Sequence, residues 1–149
     1  MTGLVHQIIS SGKPEKTALI ENNRKLSFSE LKALLEKASN GFNFLGLKTF
    51  ERVAIYLPKT IENIASILGT NASNGVFVPI NPNLKAEQVK HIVNDCDVKI
   101  LVTNKARLNG LVDALPTMPS ISHIVLVDVE KECISTIKGV ETLSWSSFI

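Results

Sequence analysis

An α/β fold, with a mostly parallel sheet flanked by helices and preceded by a β-hairpin, is predicted by three features of the sequence. Short β-rich runs alternate with segments whose apolar residues recur every three or four positions. The connections between them are short, as sequential strand and helix units in one sheet require. The runs are apolar throughout rather than at every second residue, which suits strands buried on both faces.

The hairpin is predicted from Thr17 to about Leu26, because Asn22 and Asn23 separate two short runs and asparagine tolerates the positive φ of a tight turn. In "SFSE", Ser27 precedes Glu30 by three residues. That spacing forms a capping box, in which each side chain satisfies a backbone N–H of the other. Phe28, Leu31, Leu34, Leu35, Ala38, Phe42 and Leu45 then lay one stripe along a helix that ends at Gly46. "RVAIYL", Arg52 to Leu57, reads as a strand stopped by Pro58, and Thr60 caps a helix carrying Ile61, Ile64, Ala65 and Leu68. That helix ends near Ser73, where Asn74 and Gly75 can turn left-handed.

"VFVPI", Val76 to Ile80, is the next strand; Val89, Ile92, Val93 and Cys96 mark a third helix and "VKILVT", Val98 to Thr103, another strand. Leu108, Leu111, Val112 and Leu115 predict a fourth helix before Pro116, and "HIVLVD", His123 to Asp128, a further strand. Residues 129–142 turn polar and charged and read as an exposed excursion before "LSWSSFI". All 149 residues are expected to form a single α/β domain.

Composition narrows the function. A net charge of +2 and a low aromatic content lack the basic stripe and stacking platforms of nucleic-acid binding. No apolar run is long enough to span a bilayer. Cys96 and Cys133 lie far apart with no metal-ligand spacing, so a reducing cytoplasm is the expected setting. His6, His91 and His123 are remote from one another, which points to no metal site. Asp95 and Asp97 around Cys96 read as a helix-to-strand turn rather than a reactive thiol. "SSGK", Ser10 to Lys13, has the glycine and lysine of a phosphate loop, but Pro14 removes an amide where a helix would start. No catalytic constellation and no cofactor-binding residue emerges, so the chain reads as a binding module or as part of something larger.

The order of segments resembles the adenylate-forming superfamily of AMP-forming acyl-CoA ligases, peptide-synthetase adenylation domains and luciferases. "LSFSEL" resembles its first core motif, "RVAIYLPKTIENIASILGTNASNGVFVPINP" the stretch through its second, and "LKAEQVKHIVNDCDVKILVT" the helix and strand that follow. "VFVPINPNLKAEQV" is most similar to the acyl-CoA ligases; peptide-synthetase domains usually carry aspartate where this chain has Asn81. The chain departs from the pattern at Phe50 and Glu51, where Gly-Asp is usual, at Asn74, where glycine is usual, and at Lys85, where a capping threonine is common.

The resemblance implies the first subdomain of the large N-terminal domain of an enzyme that activates a carboxylic acid with ATP and Mg2+ to an acyl-adenylate. The acyl group then passes to coenzyme A. Neither the family's Ser/Thr/Gly-rich lysine loop, nor its ribose-binding acid, nor its C-terminal lysine domain occurs within these residues. The chain alone is therefore expected to be inactive and to partner the remaining domains, with weak self-pairing through exposed faces. Ligands in open α/β sheets gather beyond the carboxyl ends of strands, so Pro79 and Asn81 are the expected substrate-channel wall. Pro79 also lacks an amide donor, so this strand end is expected at a sheet edge or past its ladder. Two alternatives stay open: a fragment of a peptide-synthetase adenylation domain, and a free-standing α/β interaction module, which a natural stop codon after Ile149 would favour.

Overall fold

A computed structural model describes residues 5–130 and 136–149. A short 3-10 helix, Val5–Ser11, precedes β1 (Thr17–Glu21) and β2 (Arg24–Ser27), which pair as an antiparallel hairpin. Asn22 supplies the positive φ of its turn, at 53°. The rest follows as α1 (Phe28–Phe44), β3 (Arg52–Tyr56), α2 (Ile61–Ala72), β4 (Val76–Pro79), α3 (Ala86–Asp95), β5 (Val98–Thr103), α4 (Lys105–Asn109), β6 (His123–Leu126), β7 (Glu141–Ser144) and α5 (Trp145–Phe148). Five strands form one parallel sheet in the order β4-β3-β5-β6-β7.

The α1 cap forms as the spacing predicts. Ser27 Oγ accepts from the Glu30 amide at 3.2 Å, and Glu30 Oε2 accepts from the Ser27 amide at 2.8 Å and its hydroxyl at 2.9 Å. The bond from the Ser27 backbone, then that from its hydroxyl, holds the Glu30 carboxyl below its ordinary value. A carboxyl depressed on folding stabilises the native state above the unfolded value and loses that contribution as pH falls through the folded one. Glu30→Gln is therefore expected to lower stability at neutral pH and to flatten its decline in acid, as thermal melts across an acid pH series would record.

Alternate residues of β3 supply two cores. Ala54 and Tyr56 pack with Val89, Val93, Leu101 and Leu108 beneath α3 and α4. Val53 and Ile55 pack with Ala38, Phe42, Ala65 and Trp145 beneath α1, α2 and α5. This two-sided burial is why the run lacks polar alternation. A third cluster, Ile9, Leu31, Leu35 and Leu68, seats the 3-10 helix on α1 and α2.

The predicted fourth helix is shorter than its apolar spacing suggested. Regular helix stops at Asn109, and the chain goes on in tighter turns, with Gly110 donating to the Arg107 carbonyl at 3.1 Å and Leu111 to that of Leu108 at 2.8 Å. Leu111 follows Leu108 by three residues through one tight turn, and Leu115 donates to the Leu111 carbonyl four residues back at 3.0 Å, so all three leucines still reach the same core. Of the stretch 129–142, residues 131–135, with Cys133, lie outside the described residues. Ile137 and Val140 pair in a tight bridge, and Glu141 and the buried Thr142 open β7.

The loop into β3 explains one departure from the family pattern. Phe50 takes φ 64°, a left-handed conformation that suits glycine, while its ring is 73% exposed. Its amide donates to the Asn74 carbonyl at 2.8 Å, which fixes that geometry. A bulky residue in this region costs about 1–2 kcal/mol, partly offset in a glycine variant by greater freedom of the unfolded chain. Phe50→Gly is expected to stabilise the chain by about 0.5–1 kcal/mol, measurable as a raised Tm.

Candidate functional site

Strand order reverses at β3: β4 lies on one side of it and β5 on the other. Beyond the carboxyl end of β3, between the start of α3 and the α4 region, the structure has a groove of about 480 Å³. This is the position where open α/β sheets hold ligands. Its walls include Tyr56 at the end of β3, Pro82 to Ala86 leading into α3, and Arg107 on α4.

Each wall has a local cause. The Tyr56 hydroxyl donates to the Leu84 carbonyl at 2.7 Å and pins the loop between β4 and α3. The Arg107 guanidinium lies 5.6 Å from the centre of the Tyr56 ring, within cation–π range. Its Nε is shut off from solvent without a hydrogen-bond partner among the described residues. At the head of α3, Gln88 Oε1 accepts from the Lys85 amide at 3.0 Å. The lysine side chain has no acceptor to return, so only half of a reciprocal cap forms there. The groove thus combines two cationic side chains, one of them held over the Tyr56 ring, with an incompletely capped helix start, a set suited to an anionic group.

Pro79 is exposed on β4, and Asn81 is exposed just beyond it. Asn81 Oδ1 accepts from the Asn83 amide at 3.0 Å and its carbonyl from the Leu84 amide at 3.1 Å. Asn81 thereby shapes the turn that carries Pro82 to Lys85 into the groove wall, while the Pro79 and Asn81 side chains stand outside that wall. Sequence reasoning missed Tyr56 and Arg107 and treated Lys85 only as a poor cap. The available signals were an aromatic at a strand's carboxyl end and a cation just after β5.

The remaining candidates do not converge. His6 bonds Asn71, His123 stands between Ser122 and Glu141, and no group of His, Cys, Asp and Glu fit to hold a metal occurs among the described residues. A depression of about 540 Å³ between the 3-10 helix and α1 is lined by His6, Lys32, Glu36 and Asn40, away from the strand ends. No helix among the described residues is long and apolar enough to cross a membrane.

A parallel sheet with helices on both faces and a crevice at its strand ends is the architecture of many ligand-binding α/β domains. The chain belongs to the AMP-binding enzyme family, whose model matches residues 7–144. It is 32% identical over 107 residues to Syringomycin synthase SyrB1 of Pseudomonas syringae pv. syringae, covering 70% of this chain and 17% of that protein. To the acetyl-coenzyme A synthetase of Rubrobacter xylanophilus it is 28% identical over 146 residues, covering 88% of this chain and 23% of that protein. The crystal structure of Coronafacic Acid Ligase from Pectobacterium brasiliense shares the fold, with a TM-score of 0.81 at 23% identity over 97% of this chain and 27% of that one. The chain therefore spans about a quarter or less of these relatives.

Proposed function

We propose that these residues are the first subdomain of an AMP-forming acyl-CoA ligase. The whole enzyme activates a carboxylic acid with ATP, releases pyrophosphate and passes the acyl group from the adenylate to the thiol of coenzyme A. The observation that carries this reading is the family match across nearly the whole chain. The coenzyme A assignment is supported by "VFVPINPNLKAEQV" and by the acetyl-coenzyme A synthetase match, which reaches 88% of this chain.

On this reading the chain is one α/β domain that acts as scaffold and carries no catalytic residue. Pro79 and Asn81 set the rim from which the loop enters the groove, and the Lys85 and Arg107 charges fit a phosphorylated acceptor. ATP and Mg2+ would be held by other parts of the enzyme. The same reading places it in the cytoplasm and allows weak pairing of copies through open faces, which light scattering at high concentration would register.

A second reading, an adenylation domain that loads a carrier-bound phosphopantetheine thiol, is favoured by the matches to Syringomycin synthase SyrB1 and Tyrocidine synthase 1. Acyl transfer assays on the whole enzyme separate the two. Thioester formed on free coenzyme A supports the ligase, and thioester formed only on a carrier protein supports the alternative.

A further inference from the structure

The open edge of the sheet at β4 has a hydrogen-bond parity that singles out one residue. Val76 donates its amide to the Glu51 carbonyl at 2.9 Å and Ile80 donates to that of Ile55 at 3.0 Å. Backbone groups alternate sides along a strand, so the even-numbered residues of this run face β3, and the backbone nitrogens of Phe77 and Pro79 face outward. β4 is the terminal strand on that side. Of its outward positions, Phe77 offers an N–H, while Pro79 presents ring carbons where the second donor would be. The neighbouring surface is apolar, with Val76 41% exposed and Phe50 73% exposed. An unguarded strand of this composition is a template for pairing with another chain.

We propose that Pro79 closes the β4 edge to strand addition, so that a second copy of this chain cannot extend the sheet from that side. The residue costs β4 nothing, because the amide it lacks has no partner in β3. It denies an incoming strand one of two donors and sets a ring in the path of its carbonyl. Weak pairing of copies, where it occurs, then falls to β7 or to side-chain contacts.

The test is sedimentation velocity over a concentration series on the 149-residue chain, with Pro79→Val, Pro79→Ser and Pro79→Val combined with Val76→Lys. Serine restores the donor with little β preference, so it decides the matter should the valine variant fold poorly by far-UV circular dichroism. Both single variants are expected to associate at an about tenfold lower concentration than the parent chain, the shift that roughly one restored hydrogen bond supplies. The exposed lysine is expected to reverse it, and amide exchange in the associated state should slow at positions 77 and 79. Single variants that sediment like the parent at every concentration would overturn the proposal, as would association that the lysine leaves unchanged.

Discussion

Phe42→Ala is expected to lower the unfolding free energy by about 3–5 kcal/mol, the largest effect of any single truncation considered. Phe42 is fully buried in the core beneath α1, and its ring meets that of Phe148 edge-on at 4.8 Å between centroids. Phe148 in turn lies 5.4 Å from Trp145, so three aromatic side chains join α1 to the last helix. Gly41 makes room for this contact, because a Cβ there would overlap the Phe148 carbonyl and ring. Removing the Phe42 ring opens a cavity in a layer that includes Val53, Ile55 and Val125 from the sheet. Small domains have only about 5–15 kcal/mol in total, so urea denaturation should show the midpoint falling sharply. Loss of near-ultraviolet signal from Trp145 would accompany it.

Arg52→Ala is expected to cost about 2–3 kcal/mol by a different route. The guanidinium donates through Nε to the Cys96 carbonyl, through Nη1 to the Phe50 carbonyl at 3.2 Å, and through Nη2 to the Asp97 carbonyl at 3.3 Å and Oδ2 at 3.1 Å. One side chain thus ties the loop before β3 to the turn between α3 and β5, where Asp97 takes φ 48°. The ion pair itself adds little, since Asp97 is largely exposed. The loss comes chiefly from the part-buried Cys96 carbonyl left without its donor and from the untied loop, since the Phe50 and Asp97 carbonyls stand open to water. Arg52→Lys should recover only a small part, because an ammonium cannot span the planar fork of acceptors. Equilibrium unfolding, with amide exchange followed at residues 96–98, would measure both variants.

Local physics made most of the fold legible. The Ser27–Glu30 box, the α1 stripe and the Asn22 turn each depend on residues within a few positions of one another, and each forms as the spacing required. The placement of β4 was partly readable: Pro79 left an edge or a position past the ladder open, and the structure takes the edge. The fourth helix was overextended because Leu108, Leu111 and Leu115 recur at the three- and four-residue spacing of a helix, while the chain after Asn109 closes in short, tighter turns that bury the same leucines. The groove was not readable at all. Tyr56, Lys85 and Arg107 come from three segments, brought together only because the chain leaves β4 and crosses β3 to place β5 on its other side, and periodicity carries no information about strand order.

On the proposed function, these residues are the supporting part of an adenylate-forming enzyme, with the machinery for ATP elsewhere in it. The most direct measurement is exchange of labelled pyrophosphate into ATP with a panel of fatty and aromatic carboxylic acids. It would be run on the 149-residue chain alone and on the same chain joined to the remainder of a family-length enzyme. No exchange is expected from the chain alone, and acid-dependent exchange is expected from the joined protein. Exchange by the chain alone, or a joined protein inert toward every acid, would contradict it.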